Sequence, residues 1–386
     1  MIIKAAISTA SDSVGAAAEL AQAVRGFMPD LAALWVSPHH GPDYAVIVDR
    51  IQELVSPRNF IGCSGESIIG PGREIEQAPA AALWVAKMPG VRVLPFVLDQ
   101  NDLTTLDTDG QWHDRLGVKP EDVPTFIVLP DPFSIQFDAC LRSIDGAFPG
   151  CAIVGGMASA AKAPGENRLF LNDQILRQGL VGVSLTGDLR VSTIVSQGCR
   201  PVGDTYVITR AEENVIYQLG GRDAYAVLKQ VHDDADSTDR ALIRQGVHIG
   251  RAIDERLQTF GPGDYLIRNV AGIVENRGLA VTDNFRAGQT IRFHVRDALS
   301  ADAEMRTLLE SRLSKMHLPP RGGFLFNCNG RGTRLFPDRN HDIGLINQAI
   351  PECPIAGFFA AGEIGPVGGR TFVHGFTSSL ILFHEP

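Results

Sequence analysis

One pattern recurs three times along this chain of 386 residues: an apolar strand, an amphipathic helix, a loop opened by proline, a strand ending in glycine and a further apolar strand. A repeated supersecondary unit cannot bury its apolar face alone, so neighbouring copies must share a core. The copies begin at Leu31, Thr125 and Gly323. The repeat of this βαββ-like unit predicts an α/β fold, a two-part mixed α/β architecture with sheets flanked by helices.

The bounds of each copy follow from the spacing of its apolar residues. Helices are predicted where apolar residues recur every three or four positions, and strands where short apolar runs end at Gly, Pro or Asp. The predicted elements of the three copies, in chain order, are 31–36, 44–55, 61–62 and 80–85, then 125–129, 133–144, 153–156 and 180–185, then 323–326, 342–350, 355–357 and 378–383.

The segment 190–321, between the second and third copies, has a different character. Its polar stretch Asp233–Asp239 is predicted to be a solvated loop, and Ser300 is predicted to cap a helix over 300–316. The loop lacks the central glycine and late glutamate of an EF-hand, so we predict no metal there. We expect an N-terminal domain over residues 1–230 and a C-terminal domain over 231–386.

Composition excludes several function classes. The net charge of −9 and the isoelectric point near 5.6 argue against nucleic acid as the main partner, because phosphate binding needs an excess of Lys and Arg. No segment is apolar enough for a membrane helix or signal peptide, so we expect a cytoplasmic protein. The six cysteines show no metal-ligand spacing and are expected to be reduced. Since there is no Walker or dinucleotide motif, we predict no cofactor.

Glycine-rich turns follow several of the predicted strands. Such turns expose backbone N–H groups and let a ligand approach the main chain, which a Cβ atom would prevent. If the repeat is real, equivalent turns lie at equivalent strand ends, where ligands of open α/β sheets collect. The predicted ligand-binding residues in or beside these turns are Cys63, Ser64, Glu66, Gly155, Gly156, Gly198, Cys199, Arg200, Arg296, Asn327, Cys328, Asn329, Arg331 and Glu363.

The charged members of this set suggest the class of ligand. An arginine beside a glycine turn can hold a carboxylate through two parallel hydrogen bonds, and a nearby glutamate can receive an ammonium group. Arg and Glu in one apolar pocket are therefore complementary to a zwitterionic amino acid. The alternative is that these residues pair with each other and brace the two halves, because buried charges need partners in either case.

Six blocks of sequence resemble the FIST family, a two-part sensory module. The blocks are Ile61–Glu66, Val154–Ser159, Ser196–Gly203, Phe293–Asp297, Cys328–Gly332 and Gly357–Arg370. The resemblance runs from about residue 30 to the C-terminus. It implies binding of a small ligand, an amino acid or related metabolite, within or between the halves, and no known reaction. No kinase, cyclase, chemotaxis or F-box segment accompanies the blocks, so we expect the signal to pass through a protein partner, through self-association as a homo-oligomer, or not at all.

Three hypotheses remain open on the sequence. A ligand-binding sensor without catalysis predicts that Arg331→Ala and Glu363→Gln abolish binding and leave folding mostly intact. A thiol-dependent enzyme acting on a small metabolite predicts selective alkylation of Cys63, Cys199 or Cys328, whose glycine-flanked turns suit a reactive thiol. An adaptor predicts a protein partner and no retained small molecule.

Overall fold

The computed structural model describes residues 1–261, 263–316 and 318–386, which form two compact units. The larger, called here the three-repeat unit, comprises residues 1–195, 305–373 and 377–386. The smaller, called here the inserted unit, comprises residues 196–304 and 374–376. The domain boundary near residue 230 stays a prediction, because sequence domains and compact units need not share their limits.

The first two repeats contain the same series of strands. Repeat 1 consists of β1 (Ile2–Ser8), α1 (Ser13–Ala23), β2 (Leu31–Val36), α2 (Tyr44–Val55), β3 (Phe60–Ser64), β4 (Ile68–Gly70), β5 (Arg73–Ile75) and β6 (Ala81–Lys87). Repeat 2 consists of β7 (Val91–Leu98), α3 (Asp102–Thr105), α4 (Asp109–Leu116), β8 (Thr125–Pro130), α5 (Phe137–Ala147), β9 (Ile153–Gly156), β10 (Leu169–Leu171), β11 (Gln174–Leu176) and β12 (Leu180–Gly187).

The third repeat begins with β13 (Arg190–Gln197) and is interrupted by the inserted segment. That segment holds β14 (Cys199–Glu212), β15 (Val215–Leu219), β16 (Arg222–Asp223), α6 (Ala224–Asp234), α7 (Ser237–Gln245), β17 (Val247–Ala252), β18 (Tyr265–Val274), β19 (Gly278–Val281) and β20 (Thr290–Arg296), and leads into α8 (Ala298–Leu313). Repeat 3 then resumes with β21 (Gly322–Cys328), α9 (His341–Ala349), β22 (Ile355–Ala360), β23 (Glu363–Val367), β24 (Arg370–His374) and β25 (Thr377–His384).

Over the described residues, the three repeats build three six-stranded sheets with one shared pattern. The central strands β2, β8 and β21 each have a parallel neighbour from the same repeat, β3, β9 and β22. Each also has an antiparallel neighbour from the same repeat, β6, β12 and β25. The first strand of each repeat completes one edge. The predicted repeat and the mixed α/β class are confirmed.

The other edge of each sheet comes from a different repeat. The hairpin β4–β5 of repeat 1 adds to β22 in the sheet of repeat 3. The hairpin β10–β11 of repeat 2 adds to β3 in the sheet of repeat 1, and β23–β24 of repeat 3 adds to β9 in the sheet of repeat 2. The three repeats therefore exchange hairpins in a cycle.

The inner faces of the three sheets share one apolar core. The rings of Trp35 and Trp84, from the first sheet, lie 5.1 and 4.6 Å from the ring of Phe324 in the third. The outer faces are covered by helices: α1 and α2 on the first sheet, α4 and α5 on the second, and α9 with α8 from Met305 on the third. Each sheet is buried on both faces, which explains the continuous apolar runs of its central strands.

A glycine allows close backbone approach at the same register position in all three sheets. Gly62, Gly155 and Gly357 lie on the parallel strands β3, β9 and β22. A Cβ atom at these positions would lie 2.0, 1.8 and 1.8 Å from a backbone carbonyl oxygen of the adjacent central strand. Real Cβ atoms cannot approach so closely, so the strand pairing of every repeat requires glycine here.

The inserted unit is built on a seven-stranded sheet of described residues, in the order β14-β20-β17-β18-β19-β15-β16. Its core contains Phe293 and Val295 from the middle of the sheet and Val227 and Val231 from α6. In the part of the chain that the structure describes, no helix is long and apolar enough to cross a membrane.

Several local predictions were wrong. The stretch Asp233–Asp239 is no loop: Asp234 ends α6 and Asp236 caps α7, accepting a hydrogen bond from the Asp239 N–H. Asp is a strong N-cap residue, so the acidic run marks a helix start. Helix α8 begins at Ala298, and Ser300 lies inside it, donating to Asp297.

The exchanged hairpins and the edge strands β1 and β7 were not predicted either. Strand β18 is continuous over Tyr265–Val274. Helix α5 begins four residues later than predicted, at Phe137.

Gly155→Ala should destabilise the three-repeat unit by about 3 kcal/mol or more, the upper end of overpacking costs, because the new methyl group meets backbone that cannot rotate away. Gly146→Ala, at an exposed position of α5 with open space around it, is the matched control. It should be neutral or stabilising by up to about 1 kcal/mol. Urea unfolding of both variants measures the difference, and equal midpoints would contradict the proposed strand constraint.

Candidate functional site

A cavity of about 170 Å³ lies within the inserted unit and is called here the Cys199 cavity. It joins two of the predicted sequence blocks, because β14 and β20 pair antiparallel with Cys199 opposite Arg296. Three segments form its wall: the start of β14, the start of β18 and the stretch from β20 into α8. The described lining residues are Gln197, Cys199, Arg200, Pro201, Gly261, Gly263, Tyr265, His294, Ser300 and Glu304.

Successive side chains of β20 point to opposite faces of the sheet, and this alternation places His294 in the cavity wall. Phe293 and Val295 pack in the core of the inserted unit, so the residue between them faces the other side of the sheet. Gly250, on the adjacent β17, leaves space for the imidazole ring, because a Cβ atom there would lie 2.3 Å from Cε1 of His294. The position of this imidazole therefore depends on a glycine of the neighbouring strand.

Arg200 is held by two carboxylates and keeps part of its guanidinium unused. Its Nε donates to Asp297 Oδ2 at 2.6 Å, and its Nη2 donates to Asp239 Oδ1. Both contacts raise the pKa of Arg200, and the hydrogen bond to Asp239 contributes most. Nη1 makes no hydrogen bond to any described residue, and the side chain is 27% exposed. A pre-oriented N–H pair is thus available to an acceptor.

Glu304 brings a carboxylate to the same cavity. It lies on α8 four residues after Ser300, so the two side chains share one face of the helix. Its Oε2 accepts a hydrogen bond of 2.9 Å from the Ser196 hydroxyl. The sequence reasoning missed Glu304, although the predicted helix would have paired it with Ser300.

Tyr265 contributes a buried hydroxyl. The residue is 2% exposed, and its Oη has no hydrogen-bond partner among the described residues. Leaving a buried polar group unsatisfied costs about 1–3 kcal/mol, which a ligand that hydrogen-bonds to it would recover. Tyr265 is not among the predicted ligand-binding residues, because nothing in the local sequence indicates where its hydroxyl lies.

His294 packs edge-on against Tyr265, with the ring centroids 4.9 Å apart. Burial lowers the pKa of His294 to about 4, so the imidazole is neutral at physiological pH. Its Nδ1 lies 3.0 Å from the carbonyl oxygen of Arg292. Because a carbonyl only accepts, Nδ1 carries the proton and Nε2 is the acceptor. The cavity wall therefore offers a hydrogen-bond donor, the Arg200 guanidinium, and an acceptor, Nε2 of His294.

The other two predicted residues of this unit lie outside the cavity wall. Arg296 places its guanidinium over the ring of Phe376, 5.3 Å from the centroid, and the imidazole of His248 packs on the same ring at 4.3 Å. The pKa of His248 is lowered to about 4, mainly by burial and to a smaller extent by the charge of Arg296. Gly198 donates its N–H to the Phe376 carbonyl.

A second group of predicted residues meets in the three-repeat unit, where β21 ends. Arg331 is fully buried and forms a bidentate ion pair with Asp342, with distances of 2.7 and 2.8 Å. Asn327 donates to the same carboxylate at 3.0 Å. The Arg331 fork is therefore already occupied by a carboxylate of the chain, Asp342, which lies in the same repeat.

Glu74 closes this buried cluster from the hairpin of repeat 1. Its Oε1 accepts from the Ile343 N–H at 3.0 Å and lies 3.4 Å from Asn327 Nδ2. Burial, reinforced by the charge of Asp342, raises the pKa of Glu74 to about 8. At Asp342, burial acts to raise the pKa, but the charge and hydrogen bonds of Arg331, together with those of His341, lower it to about 2. The surroundings therefore shift the two carboxyl groups in opposite directions: the pKa of Glu74 rises and that of Asp342 falls.

Glu363 breaks the threefold pattern. It pairs opposite Gly156, in the register position that Ile68 and Leu169 hold in the other two repeats. Those two side chains are part of the apolar core. Glu363 is fully buried, its Oε2 accepts from the N–H and hydroxyl of Thr377, and burial raises its pKa to about 8.

The remaining predicted residues surround the turns of this unit. Cys63 is fully buried in the apolar core, where burial raises the pKa of its thiol. Ser64 accepts a hydrogen bond from the Arg168 N–H, Glu66 forms an ion pair with Arg334, and Asn329 donates its N–H to the Ala360 carbonyl. The turns do converge: Met157 exchanges backbone hydrogen bonds with the 361–362 segment.

Family models match nearly the whole chain. The FIST N domain matches residues 30–222, and the FIST C domain matches residues 224–366. The chain belongs to the FIST family. FIST domains are in general sensory domains that bind small ligands.

Relatives of this FIST protein occur in mycobacteria. An uncharacterized protein of Mycobacterium tuberculosis strain H37Rv is 38% identical over 388 residues, covering 99% of this chain and 100% of its own length. An uncharacterized protein of Mycobacterium bovis is 36% identical over 390 residues, covering 99% of both chains. Among solved structures, a cyanuric acid hydrolase from A. caulinodans aligns over 100% of this chain and 99% of its own, with 9% identity and a TM-score of 0.38, which is too low to support an inference.

Arg331→Ala should destabilise this FIST protein by about 3–5 kcal/mol, because it leaves the Asp342 carboxylate buried without its cation. This replaces the sequence-based expectation that folding would be mostly intact. Arg334→Ala removes a half-exposed partner of Glu66 and should cost less than about 1 kcal/mol. Chemical denaturation distinguishes them, and similar losses in both variants would contradict the structural role of Arg331.

The two raised carboxyl pKa values predict that stability falls as pH rises. An acid whose pKa is about 8 when folded and about 4.3 when unfolded binds its proton more tightly in the folded state. Its contribution is complete below the unfolded pKa and is lost as the pH rises through 8. Urea unfolding between pH 5 and 8 should show this decline, and Glu363→Gln should make it shallower. If the stability of wild type and variant declined equally with pH, Glu363 would be excluded as a source of the pH dependence.

Proposed function

We propose that this chain is a sensory protein that binds an amino acid or a related zwitterionic metabolite in the Cys199 cavity. The observation that carries the proposal is that one small cavity presents both a guanidinium group, from Arg200, and a carboxylate, from Glu304. The first suits a ligand carboxylate and the second suits an ammonium group. Membership of a family of small-ligand sensors supports the proposal.

The size of the cavity limits the ligand. Its volume of about 170 Å³ is below the roughly 300–1,000 Å³ that drug-sized ligands occupy. Nucleotides and peptides are therefore poor candidates. A single small metabolite, with its polar ends at Arg200 and Glu304, is the class that fits.

Two other side chains of the cavity wall add directional contacts. Tyr265 presents a hydroxyl without a partner in the described part of the chain, and neutral His294 presents Nε2 as an acceptor. Both lie on rigid strands, so they are already oriented and little entropy is lost on binding. We expect the signal to leave through a protein partner or through self-association, in the cytoplasm.

Tyr265→Phe tests the proposal with little risk to the fold, because it removes one oxygen that satisfies no partner in the described structure. Thermal shifts against amino acids, amines, dicarboxylates and nucleotides should first identify a ligand, since 100 times the Kd stabilises by about 2.7 kcal/mol. The variant should then bind that ligand about three- to tenfold more weakly, the value of one hydrogen bond, while the unliganded melting temperature stays equal or rises.

Tyr217→Phe, on β15 of the same unit and away from the cavity wall, is the matched control and should bind like wild type. Glu304→Gln should weaken ligands that carry an ammonium group more than those that do not. Wild-type affinity in Tyr265→Phe would overturn the assignment of the site. Silence across the whole panel would overturn the sensory proposal and favour the adaptor hypothesis.

A further inference from the structure

We propose that the ligand of the Cys199 cavity carries a carboxamide group, which Tyr265 and His294 recognise through one hydrogen bond each. This assignment rests on the proposed function, because it names the class of amino acid that the cavity takes. The proposed function places the α-carboxylate of the ligand at Arg200 and its ammonium group at Glu304. Tyr265 and His294 line the same cavity and are left to contact the rest of the ligand.

His294 is a hydrogen-bond acceptor of fixed orientation. Its Nδ1 donates to the Arg292 carbonyl oxygen at 3.0 Å, which leaves the lone pair on Nε2. The ring lies directly against the backbone of β17, since a Cβ atom on Gly250 would be 2.3 Å from Cε1 and 2.6 Å from Nδ1. The residue is 2% exposed, and Nε2 makes no hydrogen bond to any described residue. Nε2 is thus a buried acceptor to which a ligand N–H group can donate.

Tyr265 supplies a buried hydroxyl beside this imidazole. The two rings pack edge-on with their centroids 4.9 Å apart, and Oη has no hydrogen-bond partner among the described residues. The backbone of Tyr265 is held by Gln197, whose Nε2 donates to the Tyr265 carbonyl oxygen at 2.6 Å. A phenol O–H group is a donor, so an oxygen atom of the ligand can accept its proton.

A carboxamide matches this pair in both roles. Its carbonyl oxygen accepts from the Tyr265 hydroxyl, and its NH₂ group donates to Nε2 of His294. One planar group thus provides a partner for two buried polar atoms. A site built in this way rejects analogues that lack the matching group, because they leave its buried polar atoms unpaired. Asparagine, glutamine and related amides are the amino acids that meet this requirement.

A carboxylate of the same shape fits less well. It has no proton to donate to Nε2 of His294, so it faces the lone pair unless the imidazole is protonated. Burial lowers the pKa of His294 to about 4, which makes protonation at neutral pH unfavourable. An apolar side chain leaves both groups without partners, and an ammonium group has no lone pair to accept from Tyr265.

The acidic residues near the cavity also disfavour a second carboxylate on the ligand. Arg200 is already paired with Asp239 and Asp297, and Glu304 adds a further carboxylate to the cavity wall. Like charges in a partly buried site repel each other more strongly than in water. A carboxamide carries no charge and therefore avoids this repulsion.

Isothermal titration of the full chain with isosteric ligand pairs tests the proposal at pH 7.5. The pairs are glutamine with glutamate and asparagine with aspartate, since the members of each pair share one shape and differ only in the terminal group. In the pair that binds more tightly, the amide should bind at least about tenfold more tightly than the acid.

His294→Asn and Tyr265→Phe separate the two hydrogen bonds. In His294→Asn, the amide Nδ2 can replace the ring Nδ1 as donor to the Arg292 carbonyl, while the Nε2 acceptor is lost. This variant should weaken binding of the amide about tenfold and leave binding of the acid nearly unchanged. Tyr265→Phe is the matched comparison. Its hydroxyl serves the oxygen that both members share, so both should bind about three- to tenfold more weakly and the preference should remain.

Equal binding of amide and acid by the wild-type protein would overturn the proposal, whether or not His294→Asn folds. So would tighter binding of any other amino acid than of both amides, or an unchanged preference in a folded His294→Asn protein. Each of these results leaves the sensory proposal standing, because an amino acid still binds. Failure of every amino acid to bind would overturn both proposals.

Discussion

The contact between a glycine and a backbone carbonyl, made once in each repeat, is the constraint on which this fold depends. At Gly62, Gly155 and Gly357 the parallel strand lies so near the central strand that no side chain fits. This proximity brings the ends of the strands together at one side of the core. The turns that follow then exchange backbone hydrogen bonds across repeats, as Met157 does with the segment after β22. Without the close approach, the polar residues of the turns would not meet.

Function in a repeated scaffold is found where the repeats differ. The core position beside each glycine strand carries Ile68 or Leu169 in two repeats and Glu363 in the third. The third repeat also contains the buried Arg331–Asp342 ion pair, and its chain is interrupted by the inserted unit. Glu363 is hydrogen-bonded to Thr377, but burying a carboxyl group still has a desolvation cost that an apolar residue at this position would not have. Residues that lower the stability of a core in this way are typical of sites with a functional role.

The local parts of this structure could be predicted from the sequence, and the long-range parts could not. Strand β2 and helix α2 have the predicted bounds, because apolar spacing and proline act within a few residues. The exchanged hairpins are short and pair with strands of other repeats, so no local pattern reports their partners. The same limit applies to the Cys199 cavity. Cys199 and Arg200 were predicted from their turn, whereas Tyr265 and Glu304 reach the cavity only through the tertiary fold.

The cyclic exchange of hairpins has a consequence for synthesis on the ribosome. Hairpin β4–β5 emerges early, but its partner strand β22 belongs to the last repeat, and the contact of Glu74 with Ile343 spans 269 residues. At about 5–20 residues per second, translation of that interval takes roughly 15–50 s. During this time the apolar strand Ile68–Gly70 has no sheet to join. The nascent chain therefore carries an unpaired apolar edge until β22 of repeat 3 has been synthesised, and protection of that edge by a chaperone would determine the yield of folded protein.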